Sequence, residues 1–276
     1  MCIFAVSDLH TDFKVNRLLL DELTRSGYSR DTLLVAGDIA DRLEVIEDTL
    51  ALLRSRFAKV FYTPGNHELW VRFDARDSVE KLKKVVELCD RLGVQTGPAK
   101  AEGVWVVPLF SWYEARFAGD EGADEEELQA WADFYFCKWP PEMSSVSEYF
   151  RNLNAGRLRS YEGEVITLSH FLPRRDLLPG VDGLRFKSLP KVAGSGWLDT
   201  QLRALNSRVH VFGHSHIDCD RVMDGVRYVQ NALRYPSERG ASAPSLKLIW
   251  PPAPAIYGPA ETGVTDRANL IEETNA

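Results

Sequence analysis

Five short stretches collect residue types that bind metal ions: Asp8-Leu9-His10, Gly37-Asp38-Ile39-Ala40-Asp41-Arg42, Gly65-Asn66-His67-Glu68, Ser169-His170 and Gly213-His214-Ser215-His216. Each follows a short apolar run. Each therefore presents carboxylate, amide or imidazole groups at a strand end, where an open α/β sheet gathers its ligands. Hard oxygen donors mixed with imidazole nitrogens, with no thiolate in the set, suit divalent Mn, Fe, Zn or Ni. Two such ions about 3.5–4 Å apart that share a carboxylate can generate hydroxide near neutral pH and hold phosphoryl oxygens for in-line displacement. Asp38, the lone carboxylate ending its strand, is the natural shared group.

Taken singly, these residues have plainer readings. Asp8, Asp38 and Asn66 are ordinary turn and cap residues, and Glu68 is taken as structural. Five of the six histidines fall in the five stretches, however, which an accident of packing does not explain. The sixth, His210, lies mid-strand and reads as a core or edge histidine.

The elements that must position these groups follow from periodicity. Cys2–Val6, Thr32–Ala36 and the run from Lys59 are short apolar strands. Alternation within an extended segment puts Asp8 and His10 on one side, two residues apart. Apolar residues at helical spacing (Val15, Leu18, Leu19 and Leu23, then Leu43, Ile46, Leu50 and Leu53, then a third set over 78–92) predict helices between and after those strands. The order βαβαβα predicts a layered α/β domain. Strands 104–108, 164–168 and 209–212 continue it, Asp224-Gly225 predicts a hairpin, and 246–250 is expected to be the last strand. Residues 114–162 break the pattern with an acidic run and then Trp131, Phe134, Tyr135, Phe136, Trp139, Tyr149 and Phe150. This reads as a helical insertion, either a lid over the site or a core or interface element. Residues 1–250 are expected to form a single domain, and 251–276 a proline-rich, polar tail.

At 276 residues the chain can bury a full core. Its net charge of −7, from 33 basic and 40 acidic residues, argues against nucleic acid as partner. Four scattered cysteines give neither a zinc knuckle nor a disulfide framework, and fit a reducing compartment. No stretch has the apolar length of a membrane helix, and the first strand begins at Cys2 with no room for a leader. A cytoplasmic protein is expected.

The five motifs in this order, Asp-x-His, Gly-Asp-x-x-Asp-Arg, Gly-Asn-His-Glu, a lone strand-end His and Gly-His-x-His, resemble the calcineurin-like metallophosphoesterase superfamily over residues 8–216. The resemblance implies a sandwich of two mixed sheets flanked by helices, and a phosphomonoesterase or phosphodiesterase. It implies two divalent ions, Mn favoured, bridged by a hydroxide that attacks a phosphate-ester substrate. Asp8, His10, Asp38 and His216 would hold the first ion, and Asp38, Asn66, His170 and His214 the second. His67 would face the scissile phosphate, oriented by Asp41, with Arg42 on a phosphate oxygen. A merely supporting role for His67 and a surface salt bridge for Arg42 are the other readings. Arg174 and Arg175 read as phosphate or carboxylate binders or as solvated loop residues. Leu43 stands where the protein-phosphatase branch carries Gly, and Gly-His-Ser-His is closer to the phosphodiesterase-type branches. A non-catalytic scaffold on this fold would have lost ligands, and a DNA nuclease of the superfamily would want a basic stripe that the chain lacks.

Overall fold

The computed structural model describes residues 1–72, 74–119, 125–240 and 243–251. The expected tail lies almost wholly outside them.

The chain opens β1 (Ile3–Val6), α1 (Lys14–Thr24), β2 (Thr32–Ala36), α2 (Leu43–Arg56), β3 (Lys59–Thr63) and α3 (Ser78–Leu92). It continues with β4 (Ala99–Ala101) and β5 (Val104–Pro108), three short helices, α4 (Glu125–Gln129), α5 (Asp133–Phe136) and α6 (Val146–Leu153), and β6 (Val165–Leu168). It ends with α7 (Leu189–Val192), α8 (Gly196–Ala204), β7 (Ser207–Phe212), β8 (Cys219–Met223), β9 (Val226–Gln230) and β10 (Lys247–Trp250).

Two sheets form, of order β10-β1-β2-β3 and β4-β5-β6-β7-β9-β8. In each the central strands are parallel and an edge strand runs antiparallel, so both sheets are mixed. Strand alternation decides the layers. Ile3, Ala5, Leu34, Ala36 and Phe61 point from the first sheet to meet Val104, Val106, Ile166, Leu168, Val209 and Val211 of the second. Their neighbours Val6, Leu33, Val35, Val60 and Tyr62 face the other way, onto α1, α2 and α3. The outer face of the second sheet is covered by α7, α8 and the segment between β5 and β6. This is the expected four-layer sandwich.

Local chemistry accounts for the boundaries. Asp77 caps α3 by accepting the Glu80 N–H at 2.8 Å, and Gly93 ends it at φ 68°. Asp224 and Gly225, at φ 47° and 81°, make the tight turn between β8 and β9. Sequence periodicity missed β4, whose three residues are too few to show alternation.

Where described, the 114–162 segment holds several short helices joined by loops, and most of its aromatic side chains pack on the core. Trp139 and Phe150 pack on Trp112 at centroid distances of 4.9 and 5.8 Å, and Phe150 is buried. Phe134 and Tyr135 are exposed, whereas Trp131 and Asp133 turn inward toward the strand-end loops.

Candidate metal centre

The seven ligand-type residues lie on loops at the C-terminal ends of β1, β2, β3, β6 and β7. Strand alternation is not what brings them together. Asp8, His10, Asp38, His214 and His216 have φ of 53°, 43°, 56°, 71° and 55°, all in the left-handed region. Each such residue costs on the order of 1 kcal/mol or more and persists only where its surroundings over-determine it. Here they do. The Asp8 and His10 amides donate to the Gly37 and Asp38 carbonyls at 3.0 and 2.9 Å, and the His214 amide donates to Asp8 Oδ1 at 2.8 Å. The fully buried Glu68 carboxylate accepts from the amides of Asp38, Ile39 and Gly65 at 3.1, 2.5 and 2.6 Å. Glu68 is structural, as read from the sequence, and it pins the β2 and β3 loops together.

Two overlapping donor groups result. Asp8, His10, Asp38 and His216 offer atoms within 4.8 Å of one another, as do Asp38, His170 and His214, and Asp38 belongs to both. Asn66 joins the second group: its Oδ1 lies 3.1 Å from His170 Nε2 and 3.1 Å from His214 Nδ1. In the first group His10 Nε2 and His216 Nε2 face each other at 3.1 Å. His10 Nδ1 and His214 Nε2 are buried with no hydrogen-bond partner among the described residues. Buried polar atoms aimed at each other and left unpartnered are costly, so this donor set fits a pair of divalent cations sharing Asp38. Space confirms the crowding. A Cβ on Gly37 would stand 2.5 Å from His170 Nδ1, and one on Gly65 would collide with Asp38 Oδ1.

Charge is strongly organised. Burial opposes the ionised form of Asp8, but the His216 ring outweighs it and holds the carboxyl down to about 2. Asp38 is likewise held well below the usual carboxylate range, burial being outweighed by His170 and His67. Burial lowers His170 and His216, yet Asp38 raises the first to about 9 and Asp8 the second to about 10. Burial together with neighbouring imidazoles lowers His10 well below its ordinary value, and His214 to about 3. The two ionised carboxylates thus favour positive charge beside them, here on the His170 and His216 rings.

Around it the sequence reading is partly redirected. His67 faces the centre, with Nε2 at 3.9 Å from Asp38 Oδ2, but its hydrogen-bond partner is the Tyr235 hydroxyl at 3.0 Å rather than Asp41. The Asp41 carboxylate pairs instead with Arg72 Nε at 2.7 Å. Trp70 backs His67, with ring centroids 3.7 Å apart and planes tilted by 32°. Arg42, the residue before α2, is exposed and has no ion-pair partner among the described residues. Arg174 pairs with Asp176 and Asp224 and, with Arg175, lines a separate cleft bounded by Glu114 and Trp197.

Three contributors were not found from the sequence. His216 Nδ1 meets Glu238 Oε2 at 2.6 Å, which directs Nε2 inward. Tyr235 stacks on His10 at 4.1 Å. Asp133 accepts from Asn66 Nδ2 at 2.8 Å. All three come from segments without a motif, so no signal marked them. Beside the centre opens a slot of about 530 Å³ lined by Asp38, Asn66, His67, His214 and His216, by the apolar side chains of Trp131, Leu184, Phe186, Leu189 and Ile217, and by Arg185 and Arg234.

The calcineurin-like phosphoesterase family model matches residues 1–218. The acyl-carrier-protein phosphodiesterase PptH of Mycobacterium tuberculosis is 30% identical over 261 residues, covering 86% of this chain and 78% of that protein. The crystal structure of phosphopantetheinyl hydrolase (PptH) from the same organism superposes with a TM-score of 0.76 at 26% identity, over 94% of this chain and 98% of that one.

Proposed function

Because the chain belongs to the calcineurin-like phosphoesterase family and is a metal-dependent hydrolase of phosphoric esters, we propose that it cuts a phosphodiester joining a phosphopantetheine arm to a carrier protein. We assign Asp8, His10, Asp38 and His216 to one divalent cation and Asp38, Asn66, His170 and His214 to the other. Manganese comes first among candidates because two carboxylates and an amide accompany the four imidazoles. When bound, the cations supply hydroxide near neutral pH and neutralise charge developing on the phosphoryl group.

The observation that carries this reading is the convergence of two donor groups on Asp38 at the floor of a half-apolar slot. Trp131, Leu184, Phe186, Leu189 and Ile217 give an uncharged arm an apolar wall to lie along, and Arg185 and Arg234 offer donors to its polar groups. His67, mostly buried between Trp70 and Tyr235, is fixed toward the centre and hands a proton to the leaving oxygen. Burial pushes the Tyr235 hydroxyl upward, so it stays protonated and keeps the His67 ring in place. Arg42 is exposed and does not line the slot, and it is at most a secondary contact in this scheme.

We read residues 1–250 as one catalytic domain in the cytoplasm. All four cysteines are free, and no helix among the described residues is long and apolar enough to cross a membrane. The test is incubation of the Mn-loaded protein with a phosphopantetheinylated carrier protein, followed by mass spectrometry of the carrier. Release of the arm as phosphopantetheine, leaving a free side-chain hydroxyl, is expected. Hydrolysis of bis(p-nitrophenyl) phosphate with an untouched carrier would overturn the substrate while leaving the chemistry.

A further inference from the structure

We propose that Asp133, carried on α5 outside both sheets, is the positioning residue that aims the Asn66 amide oxygen at the second cation; this rests on Asn66 being a ligand there.

The two ends of an amide have nearly the same shape and opposite hydrogen-bonding character. A half-turn of the Asn66 side chain would present Nδ2 hydrogens to a cation in place of Oδ1. Nothing in the Gly65-Asn66-His67-Glu68 loop prevents that turn, since the loop's own bonds run through backbone amides and Glu68. Asp133 prevents it. A carboxylate only accepts, so it selects the amide nitrogen, and Oδ1 of Asp133 receives Asn66 Nδ2 at 2.8 Å. The opposite end of the amide, Asn66 Oδ1, is thereby left facing His170 and His214 at 3.1 Å each.

Asp133 is itself held for this task. It is 2% exposed, and a carboxylate buried so deeply is expensive unless fully hydrogen-bonded. Trp70 Nε1 donates to Oδ1 at 2.7 Å and Trp131 Nε1 donates to Oδ2 at 3.1 Å. Each of these indoles has a second duty at the site. Trp70 is the plane behind His67, and Trp131 is a wall of the slot, 6.2 Å from His214 between ring centroids. One side chain from the segment between β5 and β6 therefore fixes a ligand, the backing of His67 and the slot wall.

The test compares Asp133→Leu, which keeps volume but accepts no hydrogen bond, with Asp133→Asn, which keeps an acceptor for Asn66 and Trp70. Mn²⁺ is titrated into the metal-stripped full chain, and bound and free ion are separated by electron paramagnetic resonance. In Asp133→Leu one equivalent is expected to bind as in the wild type and the other roughly 10- to 100-fold more weakly, the range typical of lost support behind a ligand. In Asp133→Asn both are expected to bind within a few-fold of wild type. Wild-type affinity for both ions in Asp133→Leu, or equal losses in the two variants, overturns the inference. A wild-type protein that binds fewer than two Mn²⁺ overturns the ligand assignment along with it. Whether a carrier protein is a substrate affects neither readout. Should Asp133→Leu not fold, ¹H–¹⁵N spectra of the Zn-loaded wild type decide: a slowly exchanging Asn66 side-chain proton supports the clamp, and exchange as fast as in an exposed asparagine overturns it.

Discussion

Gly65→Ala tests how tightly the centre is built. The added Cβ would collide with Asp38 Oδ1 and stand 2.8 Å from both Cδ2 and Cε1 of His170. Ordinary van der Waals contact begins at 3.4 Å. The imidazole must therefore retreat by about 0.6 Å and the carboxylate by more, because the repulsive wall is steep at such separations. Glu68, which bonds the amides on both loops, blocks relief by backbone movement. The displaced groups are the shared carboxylate and a ligand of the second cation in the scheme above. A displacement of roughly 1 Å in a catalytic array costs about 10²-fold in rate. The assay is initial-rate hydrolysis of bis(p-nitrophenyl) phosphate by Mn-loaded protein, with metal content and thermal unfolding measured on the same preparations. Gly97→Ala is the control, since nothing lies within 4 Å of a Cβ there. A Gly65→Ala protein that binds two Mn²⁺ and keeps kcat within about threefold of wild type would refute the packing argument.

Glu238→Gln removes the charged acceptor from His216 Nδ1; Mn²⁺ affinity is expected to fall about tenfold, and unchanged affinity in a titration would refute the tautomer-setting role. Tyr235→Phe frees the His67 ring, so kcat should fall about tenfold on a diester with an alkyl leaving group and less on a nitrophenyl one, which needs no proton; equal losses on both would count against His67 as the proton donor. Burial holds His210 neutral, lowering its pKa from 6.5 to about 3, between Thr167 Oγ1 and Ser169 Oγ. The unfolded chain binds this proton first, so the contribution is fully present above pH 6.5 and is lost as pH falls toward 3, at about 1.4 kcal/mol per unit. Urea unfolding at pH 7 and pH 5 should show His210→Gln losing less stability than wild type over that interval, and identical losses would refute the assignment.

What the sequence disclosed was set by how local each signal is. The strands at 32–36 and 104–108, the helix over 78–92 and the Asp224-Gly225 hairpin depend on neighbours within a few residues, and the structure has them where periodicity and turn chemistry put them. Short motifs marked the residues that now converge, yet the reason offered for Asp8 and His10, alternation in an extended chain, gives way to left-handed backbone. Side-chain types reveal that a loop is special; they do not reveal its torsions. Asp41 and His67 are each legible as motif residues, but their pairing depends on Arg72, which captures the Asp41 carboxylate first. Asp133, Tyr235 and Glu238 lie 67, 168 and 22 positions from the residues they serve, in segments without a metal-ligand motif, so only the assembled fold discloses them.

The donor atoms come from both sheets. Asp8, His10, Asp38 and Asn66 follow β1, β2 and β3, whereas His170, His214 and His216 follow β6 and β7. Cations held by this set are cross-links over the seam of the sandwich, tying chain segments that otherwise meet through apolar contacts such as Phe61 and Leu34 against Ile166 and Val209. An ion that binds only the assembled pair adds its binding free energy to their association. The coupling also runs the other way. By the same linkage, a substitution between the sheets that weakens their association is expected to lower the affinity of the rim for its ions.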